Sequence, residues 1–454
     1  MSLGRHLRRG LWLPVLLALA ACGSDDAARR GEGAPAPQPT EETLAVAANC
    51  SWLLRSDPDL LNIAYPDEGA DYWVAAVPAL PGTRLRIEGQ YPQARYFSYN
   101  TYDPALRPTD ARTDYQLDPV EGGNPYRTAA PAGGRYRAYV EPGAVPATRS
   151  PNTLYAGEIR LPGGAAALPN PAWVLIYRIY LAEGSRSGSV PLPTLTLEAQ
   201  GQDTPIALES CRPQVPQAVP ALLNDLIRTS SDPGVVGLLP VPIAPDEPAL
   251  VRFYGLPETL RLLLSNAAGF SLPLQAVTAG DTGGGFLSNT DNAYVTTMMS
   301  REQGSLYLLR GRAPSHASPA REAPLGAAQL RYWSICTNEF VSQRYVACLH
   351  DAQVPLDAQG YFTIVVSDPA ERPATVDTVP GLAWLPWGAA YPDSVIIYRH
   401  MLPSPHYAQA IQNVPYGTPA VEVMGEDLPR VRYCDRATIE AAGSAAAAFA
   451  ACGG

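Results

Sequence analysis

The chain has 454 residues, of which 46% are hydrophobic and 17% charged, with a net charge of −10; that length is a soft prior of about three domains. Its 47 prolines and 38 glycines exclude long uninterrupted helices and favour short strands joined by turns. All 33 basic residues are Arg, which excludes lysine Schiff-base chemistry, pyridoxal phosphate attachment and a Walker A loop, and the acidic balance excludes nucleic acid as a partner.

Arg5, Arg8 and Arg9 form a positive region, and Leu11 to Leu19 form an apolar stretch too short to span a membrane as a mature helix. Leu19-Ala20-Ala21-Cys22 then resembles the bacterial lipoprotein box. The resemblance implies that residues 1–21 are a signal peptide and that Cys22 is acylated as the first residue of the mature chain. Gly23, where an Asp would signal retention, implies export to the outer membrane, on its periplasmic or cell-surface side. Each buried methylene of the acyl chains contributes roughly 0.8 kcal/mol of anchoring. Residues 22–47 carry small, charged and Pro residues with no apolar periodicity. They read as a disordered tether with a reach on the order of 25–30 Å.

The chain then contains itself twice. Gly82 to Pro92 matches Gly304 to Pro314 in both glycines and the proline, at an offset near 222. Arg95-Tyr96-Phe97-Ser98 matches Arg331-Tyr332-Trp333-Ser334, and Tyr136 to Pro142 matches Phe362 to Pro369. Val174 to Arg178 matches Val395 to Arg399, and Cys211 matches Cys434. Five blocks in one order predict a duplicated module. Arg84 to Glu88 alternates with period two, as a half-buried strand does. Trp173 to Leu181 is apolar on both faces and reads as a central strand. The predicted architecture is mainly β: two tandem β-sandwich, jelly-roll-like modules over residues 48–212 and 290–435. Residues 213–289 read as inter-module helices and loops, with helices over 214–228 and 257–265. The stretch between Pro314 and Arg331 reads as a surface loop, and residues 436–454 as a tail helix.

Trp384-Leu385-Pro386, followed by Tyr398-Arg399 and Leu402-Pro403, resembles the signature of domains of unknown function 1254 and 1214. Arg178-Ile179-Tyr180 stands at the same place in the first copy. The resemblance covers roughly residues 70–205 and 290–405, and departs at Met401, where an aromatic is usual. It implies paired jelly-roll modules, often exported, and no particular chemistry.

After Cys22 come Cys50, Cys211, Cys336, Cys348, Cys434 and Cys452. An even number in an exported chain predicts disulfides, and six thiols allow 15 connectivities. Position along the chain favours Cys50 with Cys211 at the two ends of module 1, Cys336 with Cys348 across a hairpin-like loop, and Cys434 with Cys452. The third needs a break in the tail helix, which Gly443 offers, because an unbroken helix holds the thiols too far apart. No CxxC, HExxH or G-x-S-x-G motif is present; Gly184-Ser-Arg-Ser-Gly188 has Arg where a nucleophile would stand.

His400 and His406, beside Trp384, Trp387 and Tyr391, form a candidate base, ligand pair or binding face, to which Tyr155 is added. Against this stands a strand His packed under aromatics plus a surface His, since a spacing of six is not a usual zinc pattern. Asp281, Asn289, Asp291 and Asn292 could supply oxygens to Ca²⁺, against the reading that they form turns. Arg178 and Arg399 lie in apolar strands, where a buried guanidinium must be paired. The expected partners are Asp103 and Glu339. No cofactor or metal is called for. The expected function is a lipid-anchored, non-catalytic module binding a glycan, a peptide or a partner protein. The alternative is an exported hydrolase or lyase using carboxylates, His and Arg between the modules.

Overall fold

The structure is a computed structural model. It describes residues 50–453 except 58–60, 63, 80–81, 105, 128–132, 160–166, 200–205, 212–224, 226–247, 254–286, 317–327, 341, 389–390 and 416. The predicted signal peptide, Cys22, the predicted tether, the two predicted inter-module helices apart from Asp225, and most of the stretch after Pro314 therefore lie outside the described residues.

The protein is mainly β, and its strands form two modules. In module 1 the strands are β1 (Cys50–Ser51), β2 (Leu54–Ser56), β3 (Ala70–Pro78), β4 (Thr83–Gln90), β5 (Ala94–Tyr102), β6 (Pro108–Thr113), β7 (Pro119–Glu121), β8 (Arg135–Glu141), β9 (Thr153–Tyr155), the short pair β10 (Glu158–Ile159) and β11 (Leu168–Pro169), β12 (Ala172–Ala182), β13 (Thr194–Ala199) and β14 (Ile206–Ser210). Module 2 has β15 (Val251–Phe253), β16 (Asn292–Ser300), β17 (Leu306–Arg312), β18 (Leu330–Glu339), β19 (Tyr345–His350), β20 (Tyr361–Ser367), β21 (Leu382–Pro386), β22 (Asp393–Pro403) and β23 (Arg430–Cys434).

The duplication read from the sequence is a duplication of topology. The five-stranded sheet β2-β3-β12-β5-β6 has its counterpart in β15-β16-β22-β18-β19. In the second sheet of each module, β13-β4-β8-β9 corresponds to β23-β17-β20-β21, and both end in a parallel pair, β8 with β9 and β20 with β21. The matched glycines explain the matched blocks. Gly89 stands opposite Tyr136 and Gly311 opposite Phe362. A Cβ on Gly89 would come 2.5 Å from the Tyr136 hydroxyl, and one on Gly311 would come 3.2 Å from the Phe362 ring. Each ring thus lies over a residue with no side chain. Phe97 stacks on Tyr136 and Trp333 on Phe362, both with centroids 5.6 Å apart. Tyr177 and Tyr398 close the two clusters edge-on, each at 5.9 Å.

The modules differ on the outer face of the second sheet. In β4 that face carries Arg84, Arg86 and Glu88, paired across strands with Glu198 and Arg137. In β17 the corresponding positions are Leu306 and Leu308, which are buried with Ile439, Ala445, Ala448 and Phe449 of the C-terminal segment. The tail is a cover for an apolar face that module 1 lacks. It is not one helix, as the sequence reading had it, but two, Arg436–Glu440 and Ala445–Ala451. Asp435 caps the first by accepting from the Thr438 N–H, and Ser444 caps the second by accepting from the Ala447 N–H. Gly443 lies in the break, and the fold-back brings Cys434 and Cys452 into a disulfide with Cα atoms 5.1 Å apart.

Cys336 and Cys348 face each other in register across β18 and β19 and form a second disulfide. Cys211 is disulfide-bonded. Beside it β1 runs parallel to β14, and the Cys211 N–H donates to the Ser51 carbonyl; the Cys50 side chain lies outside the described residues.

Gly89→Ala should lower the stability of the folded protein by about 1–3 kcal/mol, the cost of overfilling a packed site. Gly443→Ala, whose Cβ meets nothing within 4 Å, should change it by about 0.5 kcal/mol or less. Urea unfolding followed by aromatic fluorescence checks both; equal effects would contradict the glycine–ring packing.

Candidate functional site

Strands β5 and β18 are buried along their whole length. One face of each enters its own module's core, and the other enters a seam between the modules. At the edge of a strand-rich core this seam is unusually polar, and its contacts are reciprocal. Arg95 of module 1 pairs with Asp351 of module 2, and Arg331 of module 2 lies 3.4 Å from Asp114 of module 1. Each carboxylate also accepts a backbone N–H in its own module, Asp114 from Phe97 and Asp351 from Trp333. Arg178 donates to the Leu287 carbonyl across the seam, and Arg399 donates back to the Tyr65 carbonyl at 2.7 Å. Leu287 and Tyr65 both have left-handed φ, +52° and +54°, which aims both carbonyls at the incoming guanidinium. The Tyr96 hydroxyl donates to Asp291 at 2.6 Å, and that of Tyr332 donates to Asp67 at 2.9 Å. Tyr96, Tyr180, Tyr332, Ala70 and Met401 fill the apolar remainder.

The two matching carboxylates are not in matching electrostatic states. Burial pushes Asp114 up to about 6, opposed by Arg331 and by the Phe97 and Tyr115 N–H groups. Burial also pushes Asp351 up, but His350, Arg95 and His316 outweigh it and hold that carboxyl below its ordinary range. The difference lies in the neighbours. His350 Nδ1 is 3.5 Å and His316 Nδ1 3.9 Å from the same Asp351 oxygen that Arg95 holds.

The expected ion pairs Arg178–Asp103 and Arg399–Glu339 do not form. Arg178 stands opposite Ser98 and Arg399 opposite Ser334. Asp103 and Glu339 lie five residues further along their strands, about 17 Å away at strand rise. Both are taken by nearby arginines beyond the strand ends, Asp103 by Arg107 and Glu339 by Arg344. Arg399 instead has Asp67 at 3.8 Å and the Cys336 sulfur at 2.8 Å.

The candidate binding face is not a face. Tyr155, Trp387, Tyr391 and His400 are buried. Trp384 is half-buried against the tail segment and donates its indole N–H to Ser367, and His406 is exposed. His400 Nδ1 accepts the Ile411 N–H, and its ring meets Tyr398 edge-on at 4.7 Å. Burial, helped by Arg252, lowers its pKa to about 3, so the imidazole is neutral and enclosed. Asp281 lies outside the described residues. Asn289 and Asp291 direct oxygens to Tyr96, Thr113 and the Asp291 N–H, so they serve the seam. Asp67 lies near the sulfurs of Cys336 and Cys348, but those are joined to each other and offer no thiolate. The grouping at Asp351 was missed. It becomes visible when the repeat is carried past the matched blocks, because Ser98 pairs with Thr113 and Ser334 with His350. That aligns Thr113-Asp114 with His350-Asp351.

No family model matches the chain, and no curated protein does. Among solved structures, an uncharacterised protein from Burkholderia cenocepacia is similar at 14% identity and a TM-score of 0.44, over 86% of this chain and 83% of that one. The VPA0106 protein from Vibrio parahaemolyticus is similar at 12% identity and a TM-score of 0.37, over 83% and 92% respectively.

Arg399→Leu should destabilise the protein by about 3–5 kcal/mol, because Asp67 and two carbonyls lose a buried donor; denaturant midpoints at constant m check it, and a loss below about 1 kcal/mol would contradict the buried role. His400 gives a pH signature. Its folded pKa lies below the ordinary 6.5, so the unfolded chain takes up a proton that the folded chain refuses as pH falls below 6.5. Its contribution is complete above that pH and declines at about 1.4 kcal/mol per unit on acidification. Stability measured from pH 7 to 5 should therefore fall less steeply in His400→Gln than in the unmodified protein, by about 2 kcal/mol over the range; parallel curves would show that the imidazole titrates in the folded state.

Proposed function

We propose that the protein is an envelope lipoprotein, held to the outer membrane through acylated Cys22, whose two modules act as a non-catalytic binding body for a glycan, a peptide or a partner protein. We read the modules as relatives of the paired domains of unknown function 1254 and 1214. One observation carries the non-catalytic reading. The groups that an enzyme working between the modules would use are already engaged: Arg178 and Arg399 donate to carbonyls across the seam, and His400 is a neutral, enclosed core residue. The seam is filled by side chains of both modules, so recognition falls to the loops around it.

A second reading, an exported hydrolase or lyase, draws on Asp351, where a carboxylate, two imidazoles and a guanidinium meet. A panel of esters and glycans distinguishes the two. Turnover that His350→Thr abolishes would favour the enzyme, and binding without turnover would favour the binding body.

Cys22→Ser should leave an unprocessed or soluble precursor and abolish partitioning into detergent. A variant that fractionates with membranes as the unmodified protein does would contradict the lipid anchor.

A further inference from the structure

Arg399 is buried, and its two outer nitrogens are served unequally. Nη2 donates to the Tyr65 and Pro66 carbonyls at 2.7 and 3.2 Å. Nη1 donates to the Cys336 sulfur at 2.8 Å, with Asp67 Oδ2 at 3.8 Å. That sulfur belongs to the Cys336–Cys348 disulfide, and a neutral sulfur is a weak acceptor. A thiolate in its place is a charge-assisted partner for the same donor. The guanidinium is thus better matched to the reduced sulfur than to the oxidised one. Module 1 shows that the fold does not ask for a disulfide here. The sister positions of Cys336 and Cys348 are Asn100 and Ala111, which stand opposite each other in the same register across β5 and β6.

We propose that Cys336–Cys348 is a thiol–disulfide exchange site whose co-reactant is a dithiol reductant, with Cys348 the sulfur attacked and Cys336 the thiolate released toward Arg399. One thiolate of the reductant bonds to Cys348 Sγ, the sulfur–sulfur bond of the protein breaks, and its electron pair leaves on Cys336. The reductant's second thiolate then attacks the reductant sulfur of the mixed disulfide, and Cys348 leaves with that bond's pair. With two protons from the reductant's thiols the protein ends as two thiols, and the reductant ends as a disulfide. Exchange is faster the less basic the leaving thiolate, and a guanidinium in contact with it lowers that basicity. Asp67 also lies near both sulfurs, but its oxygens already accept the Tyr332 and Ser334 hydroxyls and the Gly69 N–H. The direction of attack follows from the strands. Cys336 on β18 is fully buried, whereas Cys348 is half-buried on β19, the outer strand of its sheet. What lies over Cys348 Sγ is the turn of the exposed Glu68, whose N–H donates to the sulfur at 3.4 Å and whose carboxylate accepts the Cys348 N–H at 2.8 Å. The site is independent of whether the protein binds or hydrolyses its ligand.

The test uses the full folded chain at neutral pH. Glutathione, a monothiol, is added in excess, the reaction is quenched in acid, free thiols are alkylated, and the peptides are mapped by mass. The expected product carries glutathione on Cys348 and a free thiol on Cys336. Dithiothreitol should then take the pair to two thiols while near-ultraviolet circular dichroism stays native, at a rate that urea below the unfolding transition does not change. Arg399→Gln should slow the step about tenfold and spread glutathione over both cysteines; if that variant does not fold, the position of glutathione and the urea dependence in the unmodified protein decide. The proposal is overturned if glutathione is found on Cys336, if the pair is reduced only as fast as the chain unfolds, or if folded Arg399→Gln reacts as the unmodified protein does.

Discussion

A guanidinium cannot be left unpaired away from water without a penalty of several kcal/mol, and this protein buries four of them in one seam. Arg95, Arg178, Arg331 and Arg399 are all buried, and the acceptors of each come chiefly from the other module. Among the described residues, the carboxylates and carbonyls that hold these arginines lie chiefly in the opposite module. Separation would strand four cations and the facing carboxylates Asp114, Asp351 and Asp67. The same requirement explains why β5 and β18 are buried on both faces and why their sequences are dense in Tyr, Ser and Asn rather than purely aliphatic. A tyrosine can fill volume and still donate to a carboxylate across the seam, as Tyr96 and Tyr332 do. Both copies of the duplicated fold lie within one compact unit, Cys50–Gly454.

Much of the fold was legible in the sequence, because strand pattern and repetition are local signals. The alternation in Arg84-Leu85-Arg86-Ile87-Glu88 announces a sheet with one wet face, and the structure gives it one. The matching Leu306-Tyr307-Leu308-Leu309 has no polar alternation, and its outer face proves to be covered by the tail. The matched glycines marked places where a ring crosses a strand. The Cys434–Cys452 bridge was the pairing left once the other cysteines were matched, and it needs the break at Gly443 that the helix caps of Asp435 and Ser444 complete.

The candidate site was less legible, and the reason is geometric. Arg178 and Arg399 were correctly placed in buried strands, but their partners were sought along the same module. A repeat shows that two residues are equivalent; it does not show that an approximate two-fold exchange crosses their partners. Asp67 and Leu287 are reached only through that exchange, far from Arg399 and Arg178 in sequence. Trp384, Trp387, Tyr391 and His400 were grouped because they are close in the chain, yet strand alternation and a turn send them to different interiors. The informative positions are those where the copies disagree. Asp67 answers to Asn289, Arg84 to Leu306, and Thr113 to His350.

The dependence of the two modules on each other is tested most directly by differential scanning calorimetry of the folded chain. If the crossed arginines bind the modules into one unit, residues of both melt in a single transition whose van't Hoff and calorimetric enthalpies agree. Two resolved transitions, or a calorimetric enthalpy near twice the van't Hoff value, would show that each module stands without the other's acceptors and would contradict the account.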